Sequence, residues 1–546
     1  MIKDVIRNRL IEALDRLSYL EEGFSPELEV PSSSDFGDYA TNAALELGSK
    51  LQTNPREIAE DLLEEIDTGP FREVTIDGPG FINFFLGEDL LLSSLMEILE
   101  EGPRYGSTNQ GSAQRVQVEF VSSNPTGPLT VGHGRQAVLG DILSSLLEKL
   151  GYEVTREYYF NDEGRQIDLL AKTLWARYKQ ALGQEAAVPE EGYQGEYLVE
   201  LGQELSEELG REYTTWNKAT AQKFREIGLR EMIHRIKEDL RGVGVKFDNW
   251  FKESDLHKRG SVDEVLERLD EKNAIYEKNG AVWLKAKDER GSDDPVLIKS
   301  DGSPTYLLPD IAYHVDKLDR GFTKAIVLLG ADHQQHVENM KAALSKLEFP
   351  SDFYEVHLNQ FVSLSEEGEI QRMSTRKGQF VTLSDLVLDL GKDVVRYFMA
   401  ARKPESHLEF DYELAKEESM DNPVYYLQYA HTRICGIFRN AERGPETFDF
   451  SQHQLEALGK EEEWQLIKLL DRFPEIVEKS AQDYSPHTLT AYAEDLAALY
   501  HQFYNKYRVL CSDERLMNAR VGLSYAVQNV LRAVLDLLGV SAPERM

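Results

Sequence analysis

Residues 124–136, NPTGPLTVGHGRQ, set one histidine between two glycines, directly after a hydrophobic stretch and directly before an amphipathic pattern. At a helix N-terminus that follows a parallel strand, backbone N–H groups and the helix dipole attract phosphate, and glycine lets the backbone approach it closely. Gly132 and Gly134 would clear space there, and His133 would offer a hydrogen-bond donor. From these residues alone, a structural and a phosphate-binding histidine are about equally favoured, and the position after a strand adds slightly to the second.

The flanking sequence predicts the elements that must hold this loop. RVQVEFVSS, before the loop, has the composition of a buried strand, and apolar residues recur at helical spacing over 138–150, where Gly151 gives the stop. YEVTREYYFND then predicts another strand. Residues 115–162 therefore read as strand, glycine-rich turn, helix and strand, the crossover unit of a parallel nucleotide-binding sheet.

The whole chain predicts three domains. Residues 1–107 form an α+β domain, because Asn54 and Pro55 open a helix and REVTIDGPGFINFFLG reads as strand, turn and strand. Residues 108–420 form an α/β domain with a charged helical insertion at about 165–290, before the strand KAIVLLGADH. Residues 421–546 form an all-helical bundle.

Composition limits the class of protein. The 546 residues carry a formal net charge of -35, which supports solubility and by itself argues against nucleic acid, although a locally basic face can coexist with it. Cys435 and Cys511 are too few for a disulfide framework and too far apart for a zinc knuckle. With no apolar run of about 18 residues and no signal-peptide pattern, we expect a cytoplasmic protein without membrane contact.

Several segments now carry a resemblance to a known family. NPTGPLTVGHGR resembles the HIGH signature of class I aminoacyl-tRNA synthetases, in the longer form of the arginyl-tRNA synthetases. QRMSTRKGQFVTLSDL resembles their KMSKS loop, and SDGSPTYLLPDIAYHVDKLDRGF resembles their amino-acid-binding segment. SSSDFGDYATN is similar to the N-terminal tRNA-contacting domain, and the helical end with GVSAPERM is similar to the anticodon-binding domain. The implied fold is a Rossmann-type parallel sheet between these two domains.

The resemblance implies ATP-dependent attachment of L-arginine to its tRNA through an arginyl adenylate, with AMP and pyrophosphate released. It implies ATP with Mg²⁺ carried by the ATP, no dedicated metal site, and a monomer. Two alternatives stay open: another class I synthetase, such as a cysteinyl or glutamyl enzyme, and a non-enzymatic tRNA-binding paralogue. DFGDYATN and the C-terminus speak against the first, and the joint presence of His133, Lys377 and Asp310 speaks against the second.

The family pattern also assigns roles in ATP binding. It implies that His133 serves the α-phosphate and that Ser374, Arg376 and Lys377 serve the β- and γ-phosphates, with His133, Ser374 and Lys377 as the catalytic group. STRKG taken alone is more typical of an exposed basic turn. Thr130 stands where the family has the first histidine, and Arg372 and Thr375 stand where it has lysines, so that Lys377 would supply the missing cation. The implied ATP-binding residues are Asn124, Pro125, Thr126, Gly127, Pro128, Leu129, Thr130, Val131, Gly132, His133, Gly134, Met373, Ser374, Arg376 and Lys377.

For arginine, the resemblance implies Tyr306 and Asp310, an aromatic surface and a planar carboxylate for the guanidinium. Pro309 would fix the helix start, so that the Asp310 carboxylate in the first turn needs no other partner. Without the flanking motif, Asp310 reads as an ordinary helix-start carboxylate. Asn124 and Asn161 are implied for the α-amino and carboxylate groups. Two weaker candidates for the same site, which also read as strand-end polar residues, are Glu119 and Asp332.

For tRNA, aromatic rings and cations alternate near the start of the helical domain, as in stacking on unpaired bases and pairing with phosphate. At helical spacing, each of these residues taken singly is more typical of core packing. The implied tRNA-binding residues are Tyr426, Tyr429, Arg433 and Arg439 in this domain and Phe36, Tyr39 and Asn42 in the N-terminal domain.

Overall fold

A computed structural model of the chain describes residues 1–20, 23–286, 294–366, 369–371 and 381–546. The N-terminal region pairs three antiparallel strands in the order β1-β3-β2 and packs helices against them. Asn54 caps its third helix through the Arg56 N–H, and Pro55 takes the first helical position, as predicted. Its elements are α1 (Ile2–Arg16), β1 (Tyr39–Thr41), α2 (Ala43–Leu51), α3 (Pro55–Glu65), β2 (Phe71–Asp77), β3 (Phe81–Leu86) and α4 (Glu88–Glu101).

The middle region alternates strands and helices. Its first half consists of β4 (Arg115–Glu119), α5 (Val131–Lys149), β5 (Glu153–Phe160), α6 (Arg165–Ala181), α7 (Glu196–Leu209), α8 (Lys218–Gly242), β6 (Asn249–Lys252), α9 (Glu253–Arg259), α10 (Ser261–Glu271), β7 (Ile275–Lys278) and β8 (Ala281–Leu284). Its second half consists of β9 (Val296–Ile298), α11 (Leu307–Asp319), β10 (Lys324–Gly330), α12 (Gln334–Lys346), β11 (Tyr354–Asn359), β12 (Val362–Glu366), β13 (Glu369–Gln371), α13 (Leu383–Leu390), α14 (Lys392–Ala400), β14 (Leu408–Asp411) and α15 (Tyr412–Lys416).

The central sheet of this region contains five parallel strands in the order β11-β10-β4-β5-β6. From β4 the chain proceeds outward through β5 to β6, and it then returns to build β10 and β11 on the other side of β4. The strand order thus reverses between β4 and β10, and in open parallel sheets a crevice forms at such a point beyond the carboxyl ends of the strands. Residues 124–133, which we call the histidine loop, follow β4, so the topology places them at this crevice.

The predicted insertion is wrong in its extent. Helices α6, α7 and α8 do leave the sheet and form their own core around Leu170, Leu174 and Phe224. However, β6, which lies within the predicted 165–290, is the edge strand of the central sheet and pairs with β5. Its four residues, NWFK, are too few to show a strand periodicity in the sequence.

The C-terminal region is helical and consists of α16 (Pro423–Ala441), α17 (Gln452–Leu455), α18 (Glu461–Asp471), α19 (Phe473–Gln482), α20 (His487–Lys506) and α21 (Glu514–Leu538). Among the described residues, α21 alone is long and apolar enough to cross a membrane, by length and composition only, and 72% of that window is buried inside the protein. This burial is typical of the central helix of a bundle.

One buried arginine joins three parts of the structure. Arg396 on α14 donates to Asp141 Oδ2 on α5 (2.7 Å), to the Val243 carbonyl after α8 (2.9 Å) and to the Leu538 carbonyl at the end of α21 (2.7 Å). Gly539 must be glycine there, because its φ is +67° and a Cβ would lie 2.3 Å from the Arg396 guanidinium. The helix that carries His133 and the last helix of the bundle are therefore fixed to the same side chain.

Candidate active site

The histidine loop ends in a cap that fixes the His133 ring. Thr130 precedes the first residue of α5, and its backbone N–H donates to His133 Nδ1 at 3.2 Å, with the Thr130 hydroxyl 3.1 Å from the same nitrogen. Since Nδ1 accepts, the neutral ring carries its proton on Nε2. Burial lowers the pKa of His133 to about 4, so the ring is neutral at pH 7. Thr130 thus orients His133 as a neutral N–H donor, and it does so without carrying a charge of its own.

Two clefts lie beside this histidine, and a third adjoins them at Asn124. The central cleft, about 810 Å³, lies between the loop and the ends of β10 and β11, and His133 is part of its wall. The Tyr193 cleft, about 280 Å³, lies between the loop and residues 193–197, and the Tyr306 cleft, about 530 Å³, lies beside the start of α11. Asn124 lines all three. A molecule in one cleft can therefore meet a molecule in the next at Asn124.

The structure divides the predicted ATP-binding residues into two groups. Those that line a cleft are Asn124, Thr126, Gly127, Pro128, Thr130, Gly132 and His133. Those that are buried and reach none of the three clefts are Pro125, Leu129, Val131 and Gly134. The KMSKS-like residues lie outside the described residues, namely Met373, Ser374, Arg376 and Lys377.

The interpretation of Gly134 as cleared space for phosphate is wrong. A Cβ at this position would lie 2.5 Å from Leu383 Cδ1, so the missing side chain lets α5 pack closely against α13. Gly132 does line the central cleft, and a Cβ there would meet nothing closer than the Thr130 hydroxyl at 3.8 Å. Of the two glycines, Gly132 leaves room at the cleft and Gly134 leaves room for a neighbouring helix.

The backbone N–H and the backbone carbonyl of Leu129 each make a hydrogen bond to another element. Its N–H donates to Asp239 Oδ2 on α8 at 3.0 Å, and its carbonyl accepts from the Leu383 N–H at 2.9 Å. Thr130 and Thr382 form an isolated antiparallel bridge next to it. Burial raises the pKa of Asp239 to about 6. These contacts, which we call the Leu129 clamp, join the histidine loop to α8 and to the segment that follows the KMSKS-like residues.

The predicted arginine-binding residues fall into different places. Tyr306, at the N-terminus of α11, is 74% exposed and lines the Tyr306 cleft together with Asn124 and Asn161. The Asn161 amide donates to Glu253 Oε1 at 2.9 Å, which fixes its orientation. Asp332 lies instead in the wall of the central cleft, away from the Tyr306 cleft.

Asp310 does lie in the first turn of α11, but the prediction that its carboxylate needs no other partner is wrong. His336 Nε2 lies 2.5 Å from Asp310 Oδ2, and His314 Nδ1 lies 3.5 Å from Oδ1. The two histidines hold the pKa of Asp310 well below its usual range, although burial works in the opposite direction. Hydrogen bonding to Asp310 in turn raises the pKa of His336 against the effect of burial.

Glu119 has an internal partner. At the end of β4 it is buried, and its Oε2 accepts from Lys317 Nζ of α11 at 2.6 Å, while Oε1 accepts from the Ser122 hydroxyl at 3.0 Å. Lys317 is itself completely buried. A weaker candidate for binding substrate arginine, Glu119 thus already neutralises a buried cation of the protein.

The sequence did not single out the residues that surround Asp310. His314 and Lys317 follow it by four and seven residues, a spacing that puts all three on one helix face and could have drawn attention to them. His336 and Glu253 lie on other elements, α12 and α9, and only the tertiary fold brings them to Asp310 and Asn161.

The predicted tRNA-binding residues of the N-terminal region include both a buried residue and surface residues. Tyr39 is 4% exposed and belongs to the hydrophobic core, so its side chain is a packing residue rather than a surface contact. Phe36, 45% exposed, and Asn42, half-buried, remain on the surface.

In the helical region, Arg433 stacks on Tyr429 and Tyr504 and donates to His501 Nδ1 at 2.9 Å. Tyr426 packs edge-on against the His501 ring. We call these five residues the α16/α20 cluster. The exposed Arg439, on the same helix as Arg433, donates to the Glu544 carbonyl at 2.5 Å.

A parallel sheet whose histidine loop opens a helix where the strand order reverses, with a helical bundle fixed to that same helix, is the arrangement expected of a class I aminoacyl-tRNA synthetase. The comparisons agree with this class. The model described as "tRNA synthetases class I (R), catalytic domain" matches residues 94–420, "DALR anticodon binding domain" matches 427–546, and "Arginyl tRNA synthetase N terminal domain" matches 2–86.

Similar proteins narrow the class further. The chain is 46% identical over 549 residues to "Arginine--tRNA ligase" of Thermotoga petrophila, covering 100% of both chains. It is 43% identical over 557 residues to the protein of that name from Bacillus subtilis, covering 100% of this chain and 99% of the other. The solved Thermus thermophilus arginyl-tRNA synthetase has the same fold, with a TM-score of 0.78, 23% identity and 100% coverage of both chains. The chain belongs to the arginyl-tRNA synthetase family.

Proposed function

We propose that this protein attaches L-arginine to its tRNA in two steps, forming arginyl adenylate from arginine and ATP and then transferring the arginyl group to the terminal ribose. The observation that carries the proposal is the meeting of the central cleft and the Tyr306 cleft at Asn124, which shares the wall of the central cleft with the His133 donor. Two substrates that react carboxylate to phosphate need adjoining pockets of this kind.

In the first step the arginine carboxylate attacks the α-phosphorus of ATP and pyrophosphate leaves, so no covalent bond to the protein forms. Catalysis then depends on position and on donors aimed at the growing negative charge. We assign His133 Nε2–H and the N-terminus of α5 around Gly132 to the α-phosphate. A neutral donor suits this role, because its proton is present over the whole range above the pKa of about 4. Ser374, Arg376 and Lys377 are assigned to the outgoing pyrophosphate by the family pattern.

We assign the Tyr306 cleft to arginine. Asn161 and Asn124 offer amide groups to the α-amino and carboxylate ends, and Tyr306 offers an exposed ring to the guanidinium plane. Asp310 does not itself line this cleft, but its neighbour Pro309 does, and we assign the negative charge to the Asp310 carboxylate in the first turn of the helix that Tyr306 opens. A charged, planar fork is the feature that distinguishes arginine from other amino acids of similar length.

The remaining partners follow from the reaction. Mg²⁺ enters with the triphosphate as part of the ATP substrate, without a dedicated metal site on the protein. We further propose a monomer that works in the cytoplasm without a membrane, with domains at 1–107, 108–420 and 421–546.

We assign tRNA recognition to two surfaces. The α16/α20 cluster holds Arg433 between two rings, so that a cation and aromatic faces are oriented before any base arrives. Phe36 and Asn42 would contact the tRNA from the N-terminal region. With a net charge of -35, binding through such local patches should weaken strongly as salt rises.

Exchange of pyrophosphate into ATP tests the proposal. Each amino acid is supplied in turn, with and without unmodified tRNA specific for arginine. Exchange with arginine alone supports the proposal, and its appearance only when tRNA is added would show that tRNA binding completes the site. Exchange with another amino acid would overturn it. Bound tRNA with no exchange under any condition would instead identify a non-enzymatic paralogue.

A further inference from the structure

The Asp310 carboxylate has a histidine of the protein hydrogen-bonded to it. His336 Nε2 lies 2.5 Å from Oδ2, and both side chains are about a quarter exposed, 28% for His336 and 26% for Asp310. A guanidinium in its preferred geometry donates two parallel hydrogen bonds and needs both oxygens of a carboxylate. One of the two oxygens of Asp310 is therefore already taken.

Of the two histidines beside Asp310, His336 makes the short contact with the carboxylate, and His314 lies closer to the backbone carbonyl. His314 Nδ1 lies 2.9 Å from the Asp310 backbone carbonyl, which can only accept, so this nitrogen carries a proton. Its Nε2 lies 3.3 Å from Lys317 Nζ, an ammonium that can only donate, so Nε2 faces a donor of the protein rather than the Asp310 carboxylate. Lys317 in turn is paired with Glu119 at 2.6 Å. The charges of Lys317 and Glu119 cancel, and His336 remains as the partner of Asp310 that can gain or lose a charge.

Other groups around this pair do not supply a competing cation. Asp310 and Glu119 both favour the protonated form of His336. Tyr354 on β11 stacks edge-on against His314, and burial together with these two carboxylates raises its pKa far above neutrality, so its hydroxyl stays uncharged. The titratable groups on the elements packed against α12 are Asp310, Tyr313, His314, Asp316, Lys317 and Asp319 on α11, Asp332 and His333 directly before α12, and Tyr354, Glu355 and His357 on β11, and Glu119 acts on His336 through its charge.

We propose that His336 is the resident counter-ion of Asp310 and that the arginine guanidinium binds by displacing it, so that arginine and the proton on His336 compete for one carboxylate. This inference rests on the proposed function, since it requires arginine as the substrate. His336 is a specificity-determining residue here. It keeps the carboxylate paired in the free protein. A ligand that reaches Asp310 from the Tyr306 cleft, past the neighbouring Pro309 in the cleft wall, displaces His336 only by bringing a positive charge of its own.

The competition has a definite direction with pH. Below the pKa of His336, which lies above the ordinary 6.5, the protonated ring holds Asp310 and arginine has to displace it. Arginine binding then releases a proton, and the KM for arginine rises by up to about tenfold for each pH unit below that pKa. Above it the ring is neutral and the KM is constant. The KM for ATP does not depend on His336 and stays level over the same range.

The test measures the KM for arginine and for ATP in aminoacylation from about pH 6 to about pH 8.5, the range in which a histidine titrates. It compares the wild-type chain with His336→Gln and with a matched control, His234→Gln, at an exposed position on α8. Calorimetry of arginine binding, in buffers that differ in ionisation heat, counts the protons released. We expect a KM for arginine that falls with rising pH in wild type and in the control, a level KM in His336→Gln, and a release of up to one proton only where His336 is present.

A level KM for arginine in wild type, or the same slope in His336→Gln, would overturn the inference while leaving arginine charging intact. Absence of arginine-dependent charging in wild type would overturn the proposed function, and the inference with it. Should His336→Gln fail to fold, His336→Lys decides. A permanent cation should raise the KM for arginine at every pH, and a wild-type profile in that variant would refute the displacement.

Discussion

The Leu129 clamp offers a substitution that separates a charge from a hydrogen bond. Asp239 is 8% exposed, and its Oδ2 accepts the Leu129 N–H at 3.0 Å. Replacing Asp239 with asparagine keeps an oxygen for this N–H and removes the buried charge. Replacing it with leucine removes both the charge and the acceptor, so the two variants together show which of them the histidine loop needs.

The pKa of Asp239 gives the size of the expected difference in stability between wild type and Asp239→Asn. Burial raises it from 3.8 to about 6, and this difference in proton affinity corresponds to about 3 kcal/mol of unfavourable free energy for the ionised form. Because the folded pKa is the higher one, the penalty is absent below about pH 4, grows as the pH rises toward about 6, and is fully present above that. Asp239→Asn should therefore be more stable than wild type at pH 8, by up to about 3 kcal/mol, and the difference should shrink on acidification.

Thermal unfolding at pH 5 and pH 8, together with the aminoacylation rate, checks this reasoning. Asp239→Asn should raise the Tm at pH 8 by a few degrees and keep the rate near wild type, because Leu129 retains its acceptor. Asp239→Leu leaves a buried N–H unpaired, at about 1–3 kcal/mol, and should slow the reaction on the order of tenfold. Glu238→Gln, at the neighbouring position on α8, is the control. A lower Tm for the asparagine variant at pH 8, or a wild-type rate for the leucine variant, would refute the argument.

Two further predictions concern the substrates. His133→Ala should lower both pyrophosphate exchange and aminoacylation by orders of magnitude with little change in Tm, since the ring donates a hydrogen bond to the reacting phosphate and fills little of the core. A wild-type turnover would refute the assignment. Asp310→Ala should raise the KM for arginine far more than the KM for ATP, measured in the same assay, because the carboxylate belongs to the helix that opens beside the Tyr306 cleft; equal effects on both would mean that the arginine pocket is elsewhere.

Much of the fold could be predicted from local patterns. The strands around the histidine loop, the helix after it and the Asn54–Pro55 helix start are each encoded by a few adjacent residues, and the structure has them at those places. β6 could not be predicted, because its four residues become a strand only by pairing with β5. Short edge strands depend on their neighbours more than on their own sequence.

The candidate site divides in the same way. His133 and Tyr306 could be found from motifs, and both line clefts in the structure. The pairing of Asp310 with His336 and of Glu119 with Lys317 could not, because in each pair the two residues lie on different elements. Tyr39 was predicted to contact tRNA because it lies in a family motif, but it is buried. Such a motif contains core residues together with surface residues, and the sequence does not tell them apart.

Arg396 has a consequence for how the protein opens. Its guanidinium ties the last turn of α21, the chain after α8 and the side of α5 to one point, so none of these segments can detach without leaving a buried donor of Arg396 without its acceptor. Segments coupled in this way exchange their amide hydrogens as one cooperative unit rather than fraying one by one. The end of the bundle, which in a free helix would be the first part to fray, should therefore be protected as strongly as the helix that carries His133.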